Sequence, residues 1–538
     1  MQVQQHIQAV LNPNGDWWSI LKGDRSILNW PPDAFAVAAS LLHSSGAYTN
    51  VIKNWHPKWA GKNWNKEIKR IGDDWVKGIY PASPSIPPEV QRWWETVIGN
   101  FGISVHEISD KSELCESLIQ LAAAADEACA GVGLAFSSKD SQEQQDFFTK
   151  AFVSLRDWHT LCSDFVDGTQ LTVLPKLHTP QQGLTLRSMS HYLALCYKTG
   201  VKPRWFFSHS TRWSGMKPNA MLNILLLPWP ETISPKSFKT TCGNLGNLPE
   251  EYGFFQYEVP PDNSHGFVER AEKIVRNFKE TFNQEVDVIV FPELSLQSED
   301  LVLNLAKKVG SIVIAGIGDK KQNYAISAVP NFKPNELLRV SQQKHHRWLL
   351  DKQQVSQYGL RSIFKLDDPA NKKEKWWEDI SVGAERYINF VSLNKWLTFC
   401  VLICEDLEQS EPTAGIIRAV GPNLVIVPLQ DGPQLNKRWS SRAAMVLADD
   451  PGSSVLTLTS LGMARLCRPF GCPESRVVAL WKDPATSSTP IQIEVPYGIA
   501  AVALRIETRE SKEYTADGRD DGGKSSLFAL RETIYLEE

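Results

Sequence analysis

Two apolar runs in this chain end on residues that can do covalent chemistry. "VDVIVFPELS" (286–295) leads into Glu293, and "LTFCVLIC" (397–404) closes on Cys404, with Glu405 and Asp406 directly after it. In α/β proteins ligands bind at the carboxyl ends of strands, so polar residues there carry more weight than polar residues elsewhere. A cysteine that ends an apolar strand is ordinarily a buried structural thiol, the reading that fits Cys400 in the same run. A cysteine beside a carboxylate is a different object. A free thiol ionises near pH 8.5, roughly, so at neutrality it needs a neighbouring base to act as a nucleophile. A carboxylate within hydrogen-bond reach takes that proton as sulfur attacks an electrophilic carbon, then passes it to the leaving group.

The elements that must position these residues are legible from about residue 222. Short apolar strand candidates ("LNILLLPW", "VDVIVF", "SIVIAG", "LTFCVLIC", "NLVIVPL", "SVLTLTSL") alternate there with helical stretches such as "GFVERAEKIVRNFKETF" (266–282), "LVLNLAKKV", "GIIRAV" and "SSRAAMVLA". That order predicts an α/β domain whose strands are buried on both faces by crossover helices. Residues 1–215 read instead as a mainly helical domain, with apolar periodicity over 111–131 and 141–165. Nine of the chain's 19 tryptophans fall in its first hundred residues: Trp17, Trp18, Trp30, Trp55, Trp59, Trp64, Trp75, Trp93 and Trp94. Such density fits either a small helical core stapled by indoles or a face for a protein partner. The two domains meet near 201–220, where helical periodicity stops and Pro, Gly and Ser accumulate. Residues 509–538 read as a C-terminal tail, with a polar loop over 512–526.

Composition narrows the classes. With 42% hydrophobic and 22% charged residues the chain has enough apolar material for a sizeable core, and its net charge of -4 gives no basic field for nucleic acid or an anionic membrane. No stretch approaches the roughly 18 apolar residues of a membrane span and the start lacks a basic-then-apolar leader, so a cytoplasmic protein is expected. Nine scattered cysteines without a C-x-x-C pair read as reduced thiols, and Cys467 and Cys472 lack the partners of a zinc site. The adjacent His345 and His346 point apart on a strand and have no second ligand cluster, so no metal is expected.

Taken jointly, these segments resemble the nitrilase, or carbon–nitrogen hydrolase, superfamily over residues 222–508. "VDVIVFPELS" is similar to the segment that carries the family's catalytic glutamate, which places it at Glu293. "QQKHHRWLLD" (342–351) is similar to its lysine segment, which implies Lys344, with Lys352 as a minor alternative. "LICEDLEQSEP" (402–412) resembles its nucleophile segment, with Cys404 as nucleophile and Asp406 as the acid two residues on. "PNLVIVPLQDG" and the strand–helix–strand stretch up to residue 464 continue the likeness. The family's further glutamate, in the loop before the nucleophile strand, is matched by Glu378, ahead of Gly383, or by Glu385. Glu405 departs from the pattern, standing where many members have an aromatic residue, although C-E-D-L also occurs in glutaminase domains of NAD synthetases.

The resemblance implies an α-β-β-α sandwich and a Cys–Glu–Lys triad without a cofactor. Cys404 would form a thioester, Lys344 would stabilise the oxyanion, and Glu293 would act as base in both half-reactions, with Glu378, Glu405 and Asp406 supporting catalysis or binding substrate. It implies a small-molecule amide, ahead of a nitrile, as substrate, and a homo-oligomer formed through the nucleophile-bearing face. The loop over 352–380 is long enough to cover a pocket. Other readings of the same residues are a hydrolase gated by a partner on the N-terminal domain, a catalytically silent scaffold or regulatory protein, and an acyltransferase in which an amine intercepts the thioester.

Overall fold

A computed structural model describes the chain from Met1 to Glu538 except residues 13–24, 52–62, 80–84, 135–140, 178, 181–182, 199, 215–218, 242–247, 260–265, 320, 334, 468–472 and 486–487. Trp17, Trp18, Trp55, Trp59 and Cys472 lie outside the described residues.

Two seven-stranded sheets dominate. The first runs, in spatial order, Leu337–Gln343, Gln322–Pro330, Ile312–Asp319, Val288–Val290, Met221–Leu226, Ala501–Ser511 and Ser525–Leu536. The second runs Ile491–Glu494, Val477–Lys482, Ser454–Thr459, Leu424–Leu429, Thr398–Val401, Arg386–Ser392 and Val201–Phe207. Each contains three adjacent parallel strands followed outward by two antiparallel ones, so the halves repeat one pattern.

The two-residue period of a strand explains the layering. In the first sheet Leu222, Ile224, Leu226, Val288, Val290, Ile312 and Ile314 join the apolar cluster that holds Val425, Val427, Val455 and Ala479 of the second. Their alternates Leu225, Ile289, Val313 and Ala315 join a separate cluster with Ala271, Ile274 and Phe278 of helix Phe267–Phe282 and Val302 and Leu305 of helix Glu299–Val309. One face of the sheet therefore meets its partner sheet and the other meets helices, which makes the expected α-β-β-α sandwich.

The N-terminal region is built on helices Val3–Val10, Pro31–Ser45, Trp64–Ile79, Pro88–Gly99, Ser112–Ala128 and Gln142–Trp158. Pro31 opens its helix at a position needing no N–H, and Gly46 closes it at φ 69°, a left-handed conformation that favours glycine. The five described tryptophans of the first hundred residues, Trp30, Trp64, Trp75, Trp93 and Trp94, are all buried and belong to the core cluster shared with the sandwich. Here they act as core, with Trp30 and Trp75 donating their indole N–H to the carbonyls of Leu161 and Leu28.

Residues 1–215 are mainly helical, as expected, and carry three strands besides: Leu171–Pro175 pairs with Leu193–Tyr197, and Val201–Phe207 pairs in parallel with Arg386–Ser392 at the edge of the second sheet. The architecture corrects two other expectations. The stretch "VKPRWFF", taken as a break, alternates buried and outward residues and tolerates Pro203 because an edge strand has an unpaired side. Residues 509–538 are no free tail. Strand Ala501–Ser511 runs through residue 509 and pairs along its length with Ser525–Leu536. The intervening loop docks on the helical region: Arg519, fully buried, donates to Asp126 (2.9 Å), Glu127 (2.8 Å), Asp517 (2.9 Å) and the Met189 carbonyl (2.8 Å).

The loop expected over 352–380 is instead part of a folded unit, residues 345–380. They supply strands Leu349–Asp351 and Lys375–Glu378 to a four-stranded sheet completed by Tyr252–Tyr257 and Phe238–Thr241. Trp348, Tyr358, Phe364 and Trp376 close on Phe238 and Phe255 in a third, separate apolar cluster.

Candidate active site

The three expected reacting residues come from three segments and meet between the sheets. Glu293 lies three residues past the strand Val288–Val290, Lys344 follows Leu337–Gln343, and Cys404 closes the turn after Thr398–Val401. Lys344 Nζ donates to Glu293 Oε1 at 2.7 Å and to Glu378 Oε2 at 2.8 Å, and stands 3.7 Å from Glu405 Oε2. Exposure is 1% for Glu293, 3% for Lys344 and 2% for Cys404.

Close backbone packing fixes the glutamate. A Cβ on Gly316 would stand 2.4 Å from Glu293 Cα and 2.6 Å from Leu294 N, so only glycine lets the neighbouring strand approach this closely. Leu294 at φ 51° and Cys404 at φ 48° are non-glycine residues in the left-handed region, which costs about 1–3 kcal/mol each and persists only where the surroundings impose it. At Cys404 the surroundings include its own N–H, which donates to the Pro428 carbonyl at 3.1 Å.

Each remaining expected residue has a defined place. Glu378 ends the strand Lys375–Glu378 instead of sitting in a loop, and it accepts from Trp348 N (3.1 Å) as well as Lys344. Asp406 is buried and accepts from His345 N and His346 N, each at 3.0 Å, and from His346 Nδ1 at 2.8 Å, which ties the lysine segment to the nucleophile turn. Glu405 follows Cys404 at the start of the short helix Glu405–Glu408, with its Oε2 3.7 Å from Lys344 Nζ. Lys352 is exposed and paired with Glu374, and Glu385 is exposed beside Lys202 and Tyr387, so neither reaches the site. His345 and His346 engage Asp406 and backbone, and no group of three metal-ligating side chains is found among the described residues.

Two contributors escaped the sequence reading. Asn323 Nδ2 donates to both Glu293 Oε1 (2.7 Å) and Glu378 Oε1 (2.8 Å), and the Gln430 N–H donates to Glu293 Oε2 at 2.6 Å. Gln430 directly follows the strand Leu424–Leu429, so the strand-end rule that singled out Glu293 applied to it too. Asn323 carried no such signal, since it starts a hairpin strand and its role depends on register.

The charges are strongly coupled. Burial disfavours the Lys344 ammonium, but Glu293, Glu378 and Glu405 around it reverse that effect and hold its pKa well above the ordinary range. Burial pushes Glu293 up, and Lys344 opposes the rise. The Cys404 thiol is pushed well up by burial and then by Glu293 and Glu405, so the resting residue is a neutral thiol. Glu405 is pushed up to about 8, chiefly by burial. A pocket of about 820 Å³ lined by Tyr257, Leu294, Gln297, Gln322 and Glu378 leads to this cluster. The arrangement suits acyl transfer: a thiol, carboxylates able to move its proton, and a fixed cation for a developing oxyanion.

No protein-family model and no curated protein matches the chain. Among solved structures it is similar to Nit3 of Saccharomyces cerevisiae, a member of branch 10 of the nitrilase superfamily, at 13% identity and TM-score 0.30, over 59% of this chain and 92% of that one. It is also similar to XC1258 of Xanthomonas campestris, a CN-hydrolase superfamily protein with an arsenic adduct in its active site, at 12% identity and TM-score 0.31, over 53% and 90%. The C. elegans NitFhit protein matches at 10% identity and TM-score 0.29, over 52% of this chain and 62% of that one. Residues from Met221 onward form an α/β segment of two facing sheets with helices packed outside the first. At such low scores no residue role is taken from these proteins.

Proposed function

We propose that this protein hydrolyses a non-peptide carbon–nitrogen bond, an amide ahead of a nitrile, through a thioester on Cys404. The observation that carries the reading is the convergence of Glu293, Lys344 and Cys404 from three distant segments, with Lys344 Nζ 2.7 Å from Glu293 Oε1. Sulfur attacks the amide carbon, and Lys344 stabilises the oxyanion. The loss of one such donor typically costs about 3–4 kcal/mol, or some hundredfold or more in rate. Glu293 takes the Cys404 proton as sulfur attacks, and collapse of the tetrahedral species breaks the C–N bond and passes that proton to nitrogen, which leaves as ammonia or an amine. Glu293 is the general base for the water that attacks the thioester, and Cys404 leaves with its proton restored. The test is a panel of primary amides scored for ammonia release. Turnover in the wild type and its loss in Cys404→Ala and Lys344→Met support the reading, whereas turnover that survives Cys404→Ala overturns it.

A gated form of this enzyme has its own support. All three reacting groups are nearly inaccessible, and helix Ala414–Val420, ten residues past the nucleophile, is packed against the N-terminal region: Leu177 N donates to the Val420 carbonyl and Arg187 Nε to that of Ala419. Self-association through the nucleophile-bearing face belongs to the same proposal, and sedimentation of the full chain tests it.

A further inference from the structure

Buried polar atoms are nearly always hydrogen-bonded, because an unpaired one forfeits its bonds to water and gains nothing in return. Beside the reacting groups two donors break that rule: the Tyr257 hydroxyl and Nε2 of the Gln430 carboxamide are shut off from water and have no hydrogen-bond partner. Gln430 is 1% exposed, and its backbone N–H donates to Glu293 Oε2 at 2.6 Å. It stands two residues past Pro428, whose carbonyl accepts from Cys404 N, so it lies alongside the nucleophile turn. Tyr257 lines the pocket of about 820 Å³ together with Leu294 and Glu378. Its strand Tyr252–Tyr257 runs parallel to Lys375–Glu378 with Phe255 level with Glu378, which puts Tyr257 two residues beyond the carboxylate that holds Lys344. The ring is packed edge-on against Phe238, with centroids 5.1 Å apart, so the hydroxyl is held in place. Burial raises the phenol's pKa and the neighbouring Gln430 carboxamide opposes the rise, so at neutral pH the hydroxyl keeps its proton for donation. A buried tyrosine ordinarily finds a partner for that proton within the protein.

We infer that Tyr257 and Gln430 are specificity-determining residues that donate to a neutral oxygen on the acyl part of the substrate, so that the substrate is an amide carrying a second polar group and not a plain alkyl amide. The inference rests on the hydrolase reading above and deepens it by naming the substrate class. In that reading the oxygen of the scissile amide is taken by Lys344, which leaves two donors with nothing in the reacting group to receive them. A second acceptor, a few atoms from the scissile carbon on the pocket side, satisfies both. Its neutrality follows from the charges around it. Glu258, Asp319 and Glu378 line the pocket, and Lys321, the cation among the lining residues, is paired with Asp379 at 3.4 Å, so a carboxylate at that position would meet like charge. A site built to hydrogen-bond a substrate group rejects the analogue that lacks it, because its own buried donors are then left bare.

The test compares the diamides succinamide and glutaramide with the alkyl amides pentanamide and hexanamide and with the anionic succinamate and glutaramate. Ammonia release gives kcat/KM in the full chain, and calorimetric titration of the Cys404→Ala chain gives binding without turnover. The expected result is a preference for a diamide over its alkyl counterpart of about a hundredfold in kcat/KM, with tighter binding to match. Tyr257→Phe and, separately, Gln430→Met should each cut that preference by about tenfold. A change that only disturbs the fold lowers turnover of both amides together and leaves their ratio as it was. A ratio unchanged in both variants overturns the inference, as does a chain that prefers the alkyl amides or the anionic ones, or one that neither binds nor turns over any diamide. The hydrolase reading fails separately: if the Cys404→Ala chain binds diamides with this dependence on Tyr257 and Gln430 while the wild type releases no ammonia, the binding site stands and the reaction does not.

Discussion

Replacing Arg519 by methionine should loosen the whole N-terminal region from the sandwich, and its magnitude follows from which partners are left behind. Asp126 keeps three backbone donors, His191 N, Tyr192 N and Leu193 N, at 2.7–2.8 Å. Asp517 keeps the Trp64 indole N–H at 3.3 Å. Glu127 has Arg519 as its close ionic partner and already sits at about 7, pushed up by burial, so it becomes neutral once the guanidinium is gone. Removing one partner of a buried ion cluster typically costs about 3–5 kcal/mol. The donors retained by Asp126 and the protonation of Glu127 put this case near the low end, roughly 3 kcal/mol. Urea unfolding followed by tryptophan fluorescence should show that loss, and trypsin should cut faster after Lys512 and Lys524, which flank the docked loop. A variant whose unfolding midpoint and cleavage rate match the wild type would refute the view that this loop fastens the helical region to the sheet edge.

Gly316→Ala should impair the site before it unfolds the protein. The three atoms nearest its Cβ would be backbone of Pro292, Glu293 and Leu294, which cannot rotate away, so overpacking of about 1–3 kcal/mol and a sharp drop in amide turnover are expected in calorimetry and the ammonia assay. Asp406→Asn removes the charged acceptor that holds His345 and His346; the resulting displacement of Lys344 should lower turnover by about a hundredfold, with Cys400 still protected from alkylation. Asp33 carries a pH signature in the helical region. Burial raises it to about 7 from a reference of 3.8, against the opposing hydrogen bonds from Ser163. Because the folded value lies above the unfolded one, the carboxyl imposes no penalty below pH 4, and a penalty that grows to at most about 4 kcal/mol as pH rises towards 7. Asp33→Asn should therefore gain stability relative to the wild type between pH 4 and 7, measured by urea unfolding at each pH; a difference that is constant with pH sinks the assignment.

What could be read from the sequence divides along a physical line. Glu293 and Cys404 were visible because a strand's periodicity marks its end, and a polar residue at that end is local information. Asn323 and Gln430, which hold Glu293, depend on which strands become neighbours, and that is set by the register of a seven-stranded sheet. Arg519 misled for the same reason. In "DGRDDGG" it reads as a solvated loop cation, yet it is buried, because Asp126 and Glu127, almost four hundred residues earlier, neutralise it. Trp30, Trp75 and Trp94 left core and partner face undecided in the sequence, since an indole is equally suited to both; packing chose the core.

The site's economy lies in making one turn serve two segments. Cys404 accepts an unfavourable backbone conformation, φ 48° and ψ -113°, at the start of the short helix Glu405–Glu408. That turn sets the two side chains after Cys404 to separate tasks: the Glu405 carboxyl stands 3.7 Å from Lys344 Nζ, and Asp406 collects the backbone donors of His345 and His346. Lys344 is thus fixed from below by its own chain neighbours and from above by Glu293 and Glu378. A relaxed backbone at residue 404 would separate those tasks. The strain is then the means by which the buried Cys404 thiol, the Glu405 carboxyl and the Asp406 anchor of the Lys344 segment occupy adjacent positions in the chain. Cys400, which ends an ordinary strand pair four residues earlier, has no positive φ, so the strain belongs to the turn at residue 404 and not to buried cysteines of this sheet in general.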